Sequence, residues 1–205
     1  MAKKLKILAI GAHSDDIEYY AGGTLLQMSE THDIYFVVAT DGQDGYHNHL
    51  IKENIIEMRK NEQKASVKLL HVKKIWFLDF PDGKLVENDF LLKMRLLEVF
   101  SILRPDIVFS FDTHRQHIAH DDYHPDHRIL AHTVLDISLI DVTLPARMKK
   151  PMLRPKVYLY NPEKANLRVN IEEFSGKKKK ILEKFKSQNL DLKSGLFKFE
   201  KFRVY

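Results

Sequence analysis

LKILAIGAHSDDIEYYAGGT, residues 5–24, begins as an unbroken apolar run and ends up holding a histidine and two adjacent carboxylates. The run LKILAIGA (5–12) suits a strand buried on both faces, because after Lys6 no position in it asks for water. His13, Asp15 and Asp16 then crowd together, and such groups repel one another and are costly to desolvate. Crowding of that kind points to a site. The pattern that follows, AGGTLLQMSE (21–30), is helical, so the stretch reads as the first half of a β–α unit.

The same alternation runs outward along the chain. DIYFVVAT (33–40), KIWFLDF (74–80), DIVFSF (106–111) and KVYLYN (156–161) read as further buried strands. Helical patterns separate them at roughly 51–70, roughly 88–103 and roughly 125–140. The expected fold is therefore α/β, a Rossmann-like three-layer sandwich with a mainly parallel sheet. Pro145, Pro151 and Pro155 make 144–155 a loop rather than a domain boundary, and a single domain over 1–205 is expected. Polar residues follow each strand: His13, Asp15 and Asp16; then Asp41, Gln43 and Asp44; then Asp79 and Asp82; then Asp112, Thr113 and His114. Open parallel sheets bind ligands at the carboxyl ends of their strands, so these residues should share one cleft. By themselves the Asp-Gly pairs at 41–42 and 82–83 read as turns.

Bulk properties narrow the function. With no cysteine, disulfides, thiolate zinc sites and cysteine nucleophiles are excluded. The basic residues before LKILAIGA superficially resemble a secretory signal, but the apolar run is short and lacks a cleavage site, and a cytoplasmic protein is expected. No apolar run approaches the ~20 residues of a membrane span. The net charge of +5 has no aromatic-interleaved basic motif beside it, so nucleic acid is not an expected partner. In GKKKKILEKFKSQ (176–188), Ile181, Leu182 and Phe185 fall at helical spacing, which leaves the lysines for a solvated face.

A second rich stretch is HIAHDDYHPDHRIL (117–130), in which His124 and His127 stand three apart and Pro125 suits the first turn of a helix. His13 and Asp16 are also three apart. A catalytic zinc takes three protein ligands and keeps one position open, and His13, Asp16 and His127 would supply them. Asp15 and His124 remain as an acid and a base, which metal-assisted hydrolysis requires. Two histidines and a carboxylate also describe non-haem iron oxygenases, and a non-catalytic binding module is a further alternative.

These motifs resemble those of the LmbE-like or PIG-L superfamily of N-acetylglucosaminyl deacetylases. The likeness rests on Ala12-His13-Ser14-Asp15-Asp16-Ile17-Glu18, on Ala21-Gly22-Gly23-Thr24 and on His124-Pro125-Asp126-His127. TDGQDG (40–45), RKNEQKAS (59–66), FPDGKL (80–85) and KSQ (186–188) extend it over most of the chain. The resemblance implies His13, Asp16 and His127 as ligands of Zn²⁺ or another divalent metal. It implies Asp15 as general base, His124 as the group that stabilises the oxyanion and protonates the amine, and Asp126 as the carboxylate orienting His124. Arg59 and Asp41 are expected on the substrate side. The implied substrate is a small N-acetylated amino-sugar conjugate, and the chain could form a homo-oligomer. Ser14 departs from the family's usual proline, which loosens the loop but removes no reacting group.

Overall fold

The computed structural model describes residues 3–45, 54–113, 124–139, 153–160, 162–192 and 194–205. Strands β1 (Lys6–Gly11), β2 (Asp33–Thr40), β3 (Lys74–Phe80), β4 (Ile107–Phe111), β5 (Lys156–Tyr160), β6 (Leu167–Asn170) and β7 (Phe199–Val204) form one sheet. Its order is β3-β2-β1-β4-β5-β7-β6. The pairs from β3 through β5 are parallel, and β7 pairs antiparallel with both β5 and β6. Helices α1 (Asp16–Ser29), α2 (Ile55–Leu69), α3 (Asp89–Leu103), α4 (Pro125–Leu139) and α5 (Ser175–Leu182) complete the fold. Helix α5 packs on α1 and α2, while α3 packs on α4. The chain thus has the expected α/β architecture. None of the helices among the described residues is long and apolar enough to cross a membrane.

Sequence chemistry explains where elements start and stop. Ile7, Leu8, Ala9 and Ile10 are fully buried, as an unbroken apolar strand requires. Pro125 occupies the first turn of α4, where its missing N–H costs nothing. Arg104 ends α3 at φ 53°, its N–H donating to the Phe100 carbonyl, and Pro105 prevents continuation.

Several expectations need correction. Helix α1 begins at Asp16, not Ala21, so the two site carboxylates straddle a helix start. The apolar residues that helical spacing over 51–70 would turn inward are not the whole of the buried face of α2. Met58 and Leu69 are 36% and 41% exposed, and the buried residues are Ile55, Arg59, Gln63, Ser66 and Val67. That face is polar because it covers polar loops rather than the sheet's hydrocarbon. The helix expected over 176–188 stops at Leu182, and residues 186–188 form a separate 3-10 turn. Strands β6 and β7 were not anticipated at all. The loop expected at 144–155 falls mostly on 140–152, outside the described residues, as does His114.

Nor are all the lysines of 176–188 solvated. Lys178 is 1% exposed, and its Nζ donates to Glu200 Oε1 at 2.7 Å and to the Tyr19 carbonyl at 2.8 Å. Glu200 in turn accepts the Gly23 and Thr24 amides, at 2.8 and 2.7 Å. A buried charge is tolerated only when paired and hydrogen-bonded, and here both partners are. The pair grips α1 midway along its length. Gly23 allows the close approach: a Cβ there would stand 2.6 Å from Ile171 Cδ1. Gly23→Ala is expected to destabilise the fold by about 1–3 kcal/mol through overpacking. Combining it with Ile171→Ala should restore part of that loss, as read from denaturant midpoints.

Candidate active site

Strands β1 and β4 are neighbours, yet the connection from β1 leads away toward β2 and β3. The sheet order therefore reverses between β1 and β4, and their carboxyl ends open a crevice there. His13 lies just past β1, Asp16 opens α1, and His127 sits in the first turn of α4. The His127 ring stacks on Phe111, at the end of β4, with centroids 3.9 Å apart and planes at 15°. Topology alone thus brings two distant motifs together.

The donor atoms converge. His13 Nδ1 lies 3.1 Å from His127 Nε2, and Asp16 Oδ1 lies 3.3 Å from the same nitrogen. Asp16 Oδ2 is 3.5 Å from His13 Nδ1 and accepts the His13 backbone N–H at 2.7 Å. Tetrahedral zinc with bonds of ~2.1 Å places its ligand atoms about 3.4 Å apart, so this spacing fits a single ion. Among the described residues, His13, Asp16 and His127 form one of two groups able to hold a metal; the other comprises His13, Asp82, His124 and Asp126. In the second group His13 Nε2 is already hydrogen-bonded to Asp82 Oδ1 at 2.9 Å, an arrangement typical of a carboxylate behind a metal-binding imidazole. Sequence reading took Asp82 for a turn residue. Its position past β3, level with the other strand-end carboxylates, was the available signal.

Charge balance reinforces the geometry. Burial opposes a charge on the His13 ring, but the carboxylates of Asp126, Asp16 and Asp82 overcome it and hold its pKa well above the ordinary value. Burial pushes Asp16 up, yet the neighbouring His127 and His13 rings bring it well below the usual carboxylate range. Asp15 behaves oppositely. Its burial, with Arg59 opposing and Asp16 reinforcing, pushes it up to about 7. A carboxyl titrating near neutrality beside metal-type ligands is suited to exchanging protons.

Arg59, expected to touch substrate, is 2% exposed. Its Nη2 donates to the Ser14 carbonyl at 2.9 Å, and Nη1 to Gly42 and Gly45 carbonyls at 3.0 and 3.4 Å. Nη2 also lies 3.9 Å from Asp15 Oδ1. These contacts tie the loops after β1 and β2 together. The glycines make room: a Cβ on Gly42 would stand 2.9 Å from the guanidinium, and one on Gly45 1.9 Å from Nη1. Glu62, three residues beyond Arg59, accepts the Ser187 N–H and hydroxyl, at 2.9 and 2.7 Å. Asp41 Oδ1 accepts the amides of Gln43 and Asp82 at 3.1 and 3.2 Å, which shapes the turn and seats Asp82.

The pairing expected between Asp126 and His124 is also different. Asp126 accepts the Gly83 and Leu85 amides at 2.7 and 3.1 Å, anchoring the Asp82 loop. Its carboxylate is 3.9 Å from His124 Nδ1, beyond hydrogen-bond range. The backbone N–H of Asp126 donates to that nitrogen instead, at 3.3 Å. A neutral His124 therefore carries its proton on Nε2. Burial, with the His13 and His127 charges, lowers its pKa and favours that neutral form.

Residues 8–138 match the PIG-L family, described as GlcNAc-PI de-N-acetylase. The chain belongs to this family. It is 32% identical over 125 residues to a diacetylchitobiose deacetylase of Thermococcus kodakarensis, a match covering 60% of this chain and 45% of that protein. It is also 32% identical over 127 residues to the uncharacterised deacetylase YaiS of Escherichia coli, covering 57% and 64%. The chain thus spans less than two thirds of either relative. Among solved structures, N,N'-diacetylchitobiose deacetylase from Pyrococcus horikoshii, complexed with an inhibitor, superposes with a TM-score of 0.83 at 25% identity, covering 98% and 83% of the two chains. The hydratase GalB of Pseudomonas putida shares the fold at a TM-score of 0.76 and 17% identity, covering 98% and 96%.

The hydrogen bond behind His13 yields a direct expectation. Asp82→Ala should weaken Zn²⁺ binding by about 10- to 100-fold without abolishing it, as titrated calorimetrically against the chelated protein. Asp16→Ala should abolish tight binding in the same titration.

Proposed function

We propose that the chain is a zinc-dependent N-deacetylase that hydrolyses the acetamide of an N-acetylglucosamine-type conjugate to acetate and a free amine. One observation carries the reading: the His13, Asp16 and His127 donor atoms stand at single-ion spacing while the Asp15 carboxyl, uncommitted to any cap of α1, lies beside them. Family membership and the deacetylase relatives support it.

An amide resists hydrolysis because its carbonyl is a poor electrophile and its amine a poor leaving group. When bound by His13, Asp16 and His127, Zn²⁺ would supply Lewis acidity, polarising the carbonyl and acidifying water. The chain's residues perform the proton transfers. Asp15 takes the proton from the attacking water. His124, with Nδ1 occupied by the Asp126 amide, presents Nε2–H toward the oxygen that gains charge. Asp15 then passes the proton it took from the water to the departing nitrogen, while the neutral His124 keeps its own. The sequence-based roles of Arg59 and Asp126 are revised here: Arg59 holds the base loop and Asp126 holds the loop bearing Asp82. We place the substrate's sugar elsewhere than on Arg59, which is buried and whose Nη1 and Nη2 donate to backbone carbonyls. A soluble cytoplasmic protein acting without nucleic acid agrees with the composition.

The test is amine release from a panel including N-acetylglucosamine and N,N'-diacetylchitobiose, before chelation, after it, and with Zn²⁺ restored. Release should vanish on chelation and return with the metal. Asp15→Asn should retain zinc, measured by mass spectrometry, and lose on the order of 10²–10⁴ in kcat. Release that survives chelation, or absence of release from every conjugate, would overturn the reading.

A further inference from the structure

Asp15 stands at φ 102° and ψ −29°, in a region that side-chain-bearing residues rarely enter. Such a backbone persists only where the surroundings over-determine it. The Asp15 side chain makes no cap hydrogen bond of its own and only a 3.9 Å ion pair with Arg59, while its main chain is hydrogen-bonded on both sides. Its carbonyl accepts the Tyr19 N–H at 2.9 Å, and its N–H donates to Gln63 Oε1 at 3.3 Å.

Gln63 is fully buried, and an amide can turn either way round. What fixes its sense is Glu18, also fully buried, whose Oε1 accepts Gln63 Nε2 at 2.5 Å and the Ser66 hydroxyl as well. With Nε2 committed to Glu18, Oε1 must face the Asp15 amide. Gln63 and Ser66 share the polar inner face of α2 with Arg59, which holds the neighbouring Ser14 carbonyl. Neither Gln63 nor Glu18 reaches the cluster of metal-type donors through any hydrogen bond among those of the described residues.

We infer that Gln63, oriented by Glu18 and Ser66, is a positioning residue for the Asp15 carboxyl. It holds the strained main chain that aims the base while taking no part in metal binding. This rests on the proposed deacetylase reading, in which Asp15 is the base. A displacement of about 1 Å at a reacting group can cost on the order of 10² in rate, so losing the tie should appear in kcat.

The experiment uses the full chain, zinc-loaded, with Gln63→Met, which keeps the length and removes both hydrogen bonds. Gln63→Asn, which keeps the amide but falls short of Asp15, serves if the methionine variant does not fold. Glu18→Gln leaves an oxygen to accept from Gln63 and Ser66. Either Gln63 variant should lower kcat by about 10²-fold, with KM and zinc affinity within about threefold of the parent. Glu18→Gln should keep kcat within about tenfold. Hydrogen–deuterium exchange of the peptide spanning Asp15 should quicken in the Gln63 variants and stay slow in Glu18→Gln. Parent-like kcat and exchange in a folded Gln63 variant would overturn the inference. So would a parallel fall in zinc affinity and kcat, which would make Gln63 a general structural residue. If the parent itself releases no amine, the deacetylase reading fails, while the exchange measurement still reports whether Gln63 holds Asp15.

Discussion

The His13 imidazole is engaged at both nitrogens, and the arrangement of the site follows from that. Nε2 meets Asp82 from the loop after β3, and Nδ1 meets Asp16 and His127 from α1 and α4. One ring therefore joins three connections that the sheet delivers to the same end. The supporting bonds behind it serve this junction: Asp41 seats Asp82, Asp126 pins the Gly83–Leu85 loop, and Arg59 binds the loop after β1 to that after β2. Remove the ring and these loops lose their common point of contact.

Holding so many like charges together needs compensation that hydrocarbon cannot supply. The fold provides it by turning a polar face of α2 inward. Arg59 lies among carbonyls, Gln63 bridges two motifs, and Ser66 and Gln63 both donate to Glu18 Oε1, while the buried Glu18 Oε2 and Arg59 Nε have no hydrogen-bond partner among the described residues. A buried polar network specifies geometry more narrowly than apolar packing does, at a cost for each polar atom left unpaired. Oppositely charged neighbours also separate the two adjacent aspartates. Asp16, between two imidazoles, is pulled down, whereas Asp15, with burial dominant, is pushed up to about 7.

This inversion also explains what sequence reading could and could not find. Strands β1, β2 and β4 were legible because buried parallel strands are largely apolar, β3 and β5 by their β-branched and aromatic residues, and strand-end polarity located the crevice. The two histidine motifs were legible by spacing. The face of α2 was not, because periodicity assumes that apolar residues point inward, and here Met58 and Leu69 point out. Lys178 was misplaced for the same reason: its charge is hidden by Glu200, which lies in a strand with no strong local signature. Strand β7, FEKFRV, alternates as a half-exposed antiparallel strand does, and β6 has only four residues. Asp82 was read as a turn because Asp-Gly commonly is one. That a turn residue also backs His13 is a tertiary fact, visible only when β1 and β3 are set side by side.

The grip of Lys178 and Glu200 on α1 has a consequence for the order in which the protein is completed. Gly23 and the carboxylate that receives its amide are separated by 177 positions in the chain. During synthesis, the helix that begins at Asp16 leaves the ribosome long before its clamp exists, and so it waits on contacts of the greatest sequence separation. The site's first carboxylates thus belong to an element that is finished late.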